Sequence, residues 1–181
     1  MKSLKPLIAS CCIALSAGLA PQAWAHGDAA HVKKADTVKK EQKEWGIAGD
    51  TKAVKRSIEI TMSDTMRFTP DRIEVAQGET IRFVIKNQGK MLHELVIGTR
   101  KELEAHAALM LKFPNMAHDE PYMVHVGHGK TGEIVWTFNR AGDFGFACMI
   151  AGHYQAGMVG RVMVEARPPS SSTNPCQKRK P

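Results

Sequence analysis

The chain has 181 residues, 43% of them hydrophobic and 24% charged, with a formal net charge of +7. Those proportions fit one ordinary globular domain with short appendages and exclude a disordered, collagenous or polytopic membrane chain. The basic residues gather at 33–43 and 178–180 rather than in a stripe through the centre, which argues against nucleic acid as a partner.

Residues 1–25 read as a secretory signal peptide, with Lys2 and Lys5 ahead of an apolar run from Leu7 to Ala20 and an Ala23-Trp24-Ala25 processing site. The run is too short and interrupted to span a bilayer, and no later segment approaches the roughly 18 apolar residues a span needs. An exported, soluble product of the periplasm is expected, without stable membrane insertion. A lipoprotein site at Ile8-Ala9-Ser10-Cys11 would cut the apolar region short and is disfavoured. Cys11 and Cys12 leave with the leader, so only Cys148 and Cys176 remain, too few for a disulfide scaffold. Residues 26–52 form a polar, His- and Lys-rich N-terminal arm, and 167–181 a flexible C-terminal tail with Pro168-Pro169 and a Ser/Thr run at 170–173. The domain occupies 53–166.

Within it, short alternating segments are separated by Gly, Asn, Asp or Pro. Ile58 and Ile60 share one face, then Ile81, Phe83 and Ile85, with Arg82 and Lys86 pointing away. Gln77-Gly78-Glu79 and Asn87-Gln88-Gly89 punctuate these strands. One helix interrupts the pattern: Thr99 and Glu102 offer a capping box, Leu103, Ala107 and Leu111 form a stripe, and Pro114 lies beyond its end. It is expected to be a surface flap. The connection from there to Thr131 receives no regular structure. Ile134, Trp136 and Phe138 then alternate, Ala141-Gly142-Asp143 turns, and Phe144, Phe146 and Cys148 line one face of the next strand. The expected class is all-β, a mostly antiparallel sandwich or small barrel with one short helical flap.

The segment Cys148-Met149-Ile150-Ala151-Gly152-His153-Tyr154-Gln155-Ala156-Gly157-Met158 carries the chemistry. Its thiol arrives at the end of a core-facing aromatic row, and a thiol, an imidazole and a thioether on one tight loop suit a soft, imidazole-tolerant ion such as copper. A second imidazole would complete a His-Cys-His set with a weak axial sulfur. His93 is the natural candidate, because it lies between the strand Thr80 to Asn87 and the apolar segment Leu95 to Ile97, where a sandwich brings a strand end near the closing loop. Glu94 is not expected to ligate a site dominated by soft donors. The competing reading makes Cys148 a buried thiol or the partner of Cys176 in an oxidising compartment.

The loop, together with Met66-Arg67-Phe68-Thr69-Pro70, Gly78-Glu79-Thr80-Ile81-Arg82-Phe83, Asn87 and His93-Glu94, resembles the cupredoxin, or blue-copper, family, and most of all the exported cupredoxins linked to bacterial copper tolerance. The resemblance runs roughly from Val54 to Glu165. It implies a Greek-key β-sandwich with His93, Cys148, His153 and Met158 as the copper ligands. The Cys-to-His interval matches azurin-like loops but Met158 comes one residue later than in them, which leaves blue and green centres both open.

His26, which would become the amino terminus of the processed chain, and His31 close by are candidates for an auxiliary copper site, against the reading of a solvated terminus with no metal. A middle region rich in sulfur and imidazole adds Met91, Met110, Met116, His118, His125 and His128 as further candidates, although methionine also fills cores. Gly127-His128-Gly129-Lys130-Thr131 is no phosphate loop, since Val124 occupies the first glycine's place. No hydrolase triad can be assembled. A nitrite reductase needs a second domain, and a binuclear copper centre needs a second loop cysteine. The leading expectation is a periplasmic copper protein that binds or buffers copper for tolerance through one-electron redox cycling or copper(I) oxidation, and is otherwise not an enzyme. A partner redox or copper-handling protein is expected, and the alternative is a soluble electron carrier serving a cytochrome or copper enzyme.

Overall fold

The computed structural model describes residues 40–116 and 118–167. The leader, His26, His31, Cys176 and the tail beyond Arg167 lie outside them. Ten strands form two five-stranded sheets. Strands β1 (Ile47–Ala48), β2 (Arg56–Ser63), β3 (Arg67–Thr69), β5 (Glu79–Asn87) and β8 (Thr131–Phe138) make the first, in the order β1-β8-β5-β2-β3. Strands β4 (Arg72–Ala76), β6 (His93–Gly98), β7 (Met123–Val126), β9 (Gly142–Ala147) and β10 (Val159–Glu165) make the second, in the order β4-β10-β9-β6-β7. Crossing from sheet to sheet makes two pairings parallel, β2 with β5 and β4 with β10, inside an otherwise antiparallel sandwich.

The alternation expected from sequence sets the core. Ile81, Phe83 and Ile85 of β5 and Ile134, Trp136 and Phe138 of β8 are all buried, with Phe83 opposite Ile134 and Ile81 opposite Trp136 in the ladder. Phe68 and Phe146 bridge the two sheets edge to face at 5.0 Å between ring centroids, a geometry that adds to their area burial.

Three local features differ from the sequence reading. Trp45 and Ala48, within the stretch read as an arm, are buried, and β1 pairs antiparallel with β8. The Trp45 carbonyl accepts the indole N–H of Trp136 at 3.1 Å, and its ring packs edge-on against Tyr122. Polar composition hid a single large anchor. The connection read as irregular contains β7, whose four residues are too few and too interrupted by His125 to announce a strand. The helix α1 (Arg100–Lys112) has the expected capping box, Thr99 Oγ1 accepting from the Glu102 amide and the Glu102 carboxylate accepting from the Thr99 amide. Its buried stripe, however, is Leu103, Ala107 and Met110, and Leu111 is 52% exposed. Steps of four and three keep a row on one side of a helix, and 111 falls past its edge.

Strand β6 is buried along its whole length. Leu95 and Ile97 belong to the main core, whereas Val96 joins a smaller cluster with Leu103, Ala107 and Met110 of α1, Met123, Ala147 and Met149. The helix is therefore the cover for the outer face of β6 and β9.

Two measurements test this packing. Trp45→Ala should lower the unfolding free energy by about 3 to 5 kcal/mol in urea titration, the cost of emptying a large buried aromatic site; a change near zero would place residue 45 outside the cooperative unit. Thr99→Ala should cost about 1 kcal/mol through the lost cap, read as a lowered thermal midpoint with sheet signals intact.

Candidate metal centre

Three pieces of backbone meet at one end of the sandwich: the start of β6, the exit of β9 and the turn that leads into β10. The period-two alternation that puts Phe144 and Phe146 in the core delivers Cys148 to the same side, fully buried. The Cys148 amide donates to the Met158 carbonyl at 3.1 Å, next to the β9–β10 register pair Ala147 and Val159. Between these two residues the chain closes on itself, with amides of His153, Ala156, Gly157 and Met158 bonded to carbonyls of Ile150, Gly152, Tyr154 and His153. Gly152 and Gly157 take φ of +88° and +90°, conformations that a side chain would strain. Arg67 Nη1 ties the turn to the first sheet by donating to the carbonyls of Met66 and Ala156.

The result brings His93, Cys148 and His153 together, with one ligand atom of each within 4.8 Å of the others. Cys148 Sγ lies 3.3 Å from His153 Nδ1 and accepts the Glu94 amide at 3.3 Å. The two imidazole rings are 5.0 Å apart at centroids. Met158 is also fully buried, within the same core cluster as Cys148. Among the described residues Cys148 is a free thiol.

The electrostatics suit a cation. Burial pushes the Cys148 thiol up to about 11, against the Glu94 and Ile150 amides that favour its thiolate. Burial, with the neighbouring His93, lowers His153, so its ring is neutral at pH 7 and keeps a lone pair. His93 Nδ1 is buried with no hydrogen-bond partner, while Nε2 lies 3.1 Å from Asp64 Oδ1. A ring that donates from Nε2 to a carboxylate holds its lone pair at Nδ1, the usual outer support of a metal-binding imidazole. An orphaned buried nitrogen beside a thiol and a second imidazole is a donor set that fits copper.

Asp64 is the residue that sequence reasoning missed. It sits in the β2–β3 turn, where its carboxylate also accepts the Lys90 and Met91 amides at 2.8 and 3.3 Å, and the Lys90 bond foremost holds the carboxyl below its ordinary range. Asn87 secures the other side of this loop: its side-chain amide donates to the Met91 and Val126 carbonyls, each at 2.8 Å, and its oxygen accepts the Gly89 amide. Nothing in the spacing of Ser63-Asp64-Thr65 signals that role.

The auxiliary candidates are dispersed. Met91 is 42% exposed on the loop into His93, Met110 lies on the buried stripe of α1, and Met116 is exposed past the helix end. His128 Nδ1 donates to the Gly89 carbonyl at 2.7 Å, joining the β7–β8 turn to the same loop. His118 and His125 lie on the other face of β6, with Glu94.

Residues 53–165 match the family model described as copper binding proteins, plastocyanin/azurin family. The chain is 49% identical over 142 residues to a copper-resistant cuproprotein CopI of Rubrivivax gelatinosus, covering 77% of this chain and 82% of that one. It is 37% identical over 150 residues to the protein of the same name from Pseudomonas aeruginosa, covering 67% and 82%. Among solved structures, reduced auracyanin from Roseiflexus castenholzii superposes with a TM-score of 0.54 at 21% identity, over 62% of this chain and 98% of that one. Auracyanin B gives 0.55 at 18%, over 66% and 94%. These two likenesses establish a shared fold.

Asp64→Ala should weaken copper binding by roughly 10- to 100-fold, the usual effect of losing an outer support, while the visible thiolate-to-copper absorption survives and Asp64→Asn recovers part of the affinity. Equal affinities in competition titration would remove Asp64 from the support of this site.

Proposed function

The chain belongs to the plastocyanin/azurin family of copper-binding proteins, and from that premise we propose that His93, Cys148 and His153, with the thioether of Met158 as a fourth donor, would hold one copper ion in a protein that binds and buffers copper in support of copper tolerance. The observation that carries this reading is the convergence of three donor atoms within 4.8 Å, one of them a buried imidazole nitrogen with no hydrogen-bond partner.

Each residue has a separate task. Cys148 would supply the thiolate: burial keeps its proton on at neutral pH, so binding of a metal would release that proton. The Glu94 amide, already directed at Sγ, favours the negative charge that results. His153, neutral at pH 7, donates from Nδ1 without first losing a proton. His93 is held in the required tautomer by Asp64. The fully buried Met158 offers a thioether that tolerates copper(I), while the two imidazoles accept both oxidation states. When bound, copper supplies one-electron chemistry at this site, between its +1 and +2 states. The packed walls exclude water from every donor except the edge of His153, which is 9% exposed.

The tolerance role, rather than that of a dedicated electron carrier, is supported by the two relatives named as copper-resistant cuproproteins. The periplasm is supported by the leader-like residues 1–25; the copper domain takes in Trp45 and β1 from the end of the stretch read as an arm. No helix among the described residues is long and apolar enough to cross a membrane.

Cys148→Ser tests the assignment. The wild-type protein loaded with copper should show an intense visible thiolate band and restore growth of a copper-sensitive host on copper medium, and the variant should do neither. A variant that keeps the band would overturn the ligand set. Wild-type protein that leaves copper sensitivity untouched but is reduced rapidly by a cytochrome would replace buffering with electron carriage.

A further inference from the structure

Strand β6 places two consecutive residues on opposite faces, and the second of them sits in a site of its own. His93 joins Cys148 and His153, whereas Glu94 turns to the face covered by α1 and the segment that follows it. In the antiparallel ladder Glu94 is directly opposite His125 of β7, so the two side chains share that face. His118, from the connection between α1 and β7, closes the third side. The ligand atoms of Glu94, His118 and His125 lie within 4.8 Å of one another, with Glu94 Oε1 3.2 Å from His118 Nε2 and 3.4 Å from His125 Nε2.

The polar accounting of this cluster does not close with protein atoms. Glu94 is fully buried, and beyond the approach of the Met149 amide its carboxylate oxygens find no partner in good hydrogen-bond geometry. His118 Nε2 is buried and likewise makes none, despite its short approach to the carboxylate. The other nitrogen of that ring, Nδ1, is 2.8 Å from the Met116 carbonyl. A carbonyl only accepts, so Nδ1 carries the proton, and in the neutral ring Nε2 is a lone pair directed at carboxylate oxygen. Two acceptors facing each other in a buried site repel unless a proton or a metal cation lies between them, and a buried carboxylate short of partners is expensive. The His106 ring of α1 packs edge-on against His118 at 4.9 Å and fixes its orientation. His125, with its side chain 41% exposed, leaves the cluster open to solvent on one side, which gives an ion a way in.

We propose that Glu94, His118 and His125 form a second metal site, distinct from the thiolate centre, that takes a divalent transition-metal ion and holds copper(II) in preference to zinc(II). The donor set is two imidazoles and one carboxylate. Without a thiolate or thioether it disfavours copper(I), and copper(II) is the tightest-binding divalent ion for nitrogen and oxygen ligands. The choice of copper over zinc also rests on the copper-handling role proposed for the protein; the existence of the site does not. The two centres then stand back to back across one strand, sharing the peptide between His93 and Glu94, whose amide donates to Cys148 Sγ. One ion would be held by soft donors inside the sandwich and the other by harder donors beneath the helix. This sorts the auxiliary candidates: His118 and His125 are ligands, Met116 supports through its carbonyl, and Met110 is core.

The test uses the full-length protein, its His118→Ala/His125→Ala variant, and His125→Ala alone, a change on an exposed position of a short edge strand. Each is equilibrated with the same low free copper(II) concentration, and bound copper is counted by mass spectrometry alongside the optical and spin-resonance spectra. The arm with His26 and His31 is present in all three, so it contributes equally. The wild-type protein should hold one more copper than the double variant, and the additional ion should give a spin-resonance signal with nitrogen hyperfine structure and no thiolate absorption. The single variant should bind that ion at least tenfold more weakly. The thiolate band should be the same in all three. Equal copper counts would overturn the proposal, leaving the cluster as a buried ion pair. Zinc displacing the second copper at equal concentration would overturn its metal preference. Absence of the thiolate band from the wild-type protein would instead strike the main centre, and a difference in counts would still report on the second.

Discussion

The structure depends on a strand with no solvent side. Most strands of a sandwich show one face to the core and the other to water, but β6 is buried throughout, because α1 and the segment after it cover what would have been its wet face. This constraint turns a simple alternation into a division of chemistry. Odd positions carry His93, Leu95 and Ile97 towards the interior between the sheets, and even positions carry Glu94 and Val96 under the helix. A glutamate placed there cannot be solvated, so its environment has to supply what water would have supplied. Burial accordingly raises the Glu94 carboxyl to about 7, against the opposing pull of His118 and the Met149 amide.

The thiolate centre is rigid for a different reason: its donors are fixed by backbone bonds rather than by side-chain packing alone. Cys148 is held at its amide by Met158 and approached at its sulfur by the Glu94 amide, so neither end of the residue is free. His93 is reached from two loops at once, with Asp64 gripping its ring as well as the Lys90 and Met91 amides just upstream, and Asn87 pinning Met91 from the other side. Donors arranged in this way have little freedom to move.

The legible parts of this molecule are those in which the signal lies within one stretch of chain. Phe144, Phe146, Cys148, His153 and Met158 fall in fifteen consecutive residues and could be read as core row followed by ligand loop, and Thr99 with Glu102 marked the helix start correctly. His93 needed a sandwich to be assumed first. What the sequence did not reveal joins distant segments: Asp64 reaches His93 across a separation of 29 residues, and Glu94, set aside as a ligand of the main site, meets the candidates His118 and His125 only because β7 pairs with β6. Four residues with an outward-facing histidine carry too weak an alternation to reveal that strand. The parallel pairings were equally hidden, since a strand's own pattern is the same whichever direction its neighbour runs. Trp45 shows that one bulky side chain in a polar stretch outweighs the composition around it.

The bond between Cys148 and Met158 has an evolutionary consequence. Because these residues lie side by side where β9 passes into β10, the intervening turn enters and leaves the sandwich at one point. Residues gained or lost within it shift the imidazole and sulfur relative to one another without altering the register of any strand. The scaffold is thereby insulated from its own loop, whose tip can change length while both sheets of the sandwich keep their pairing.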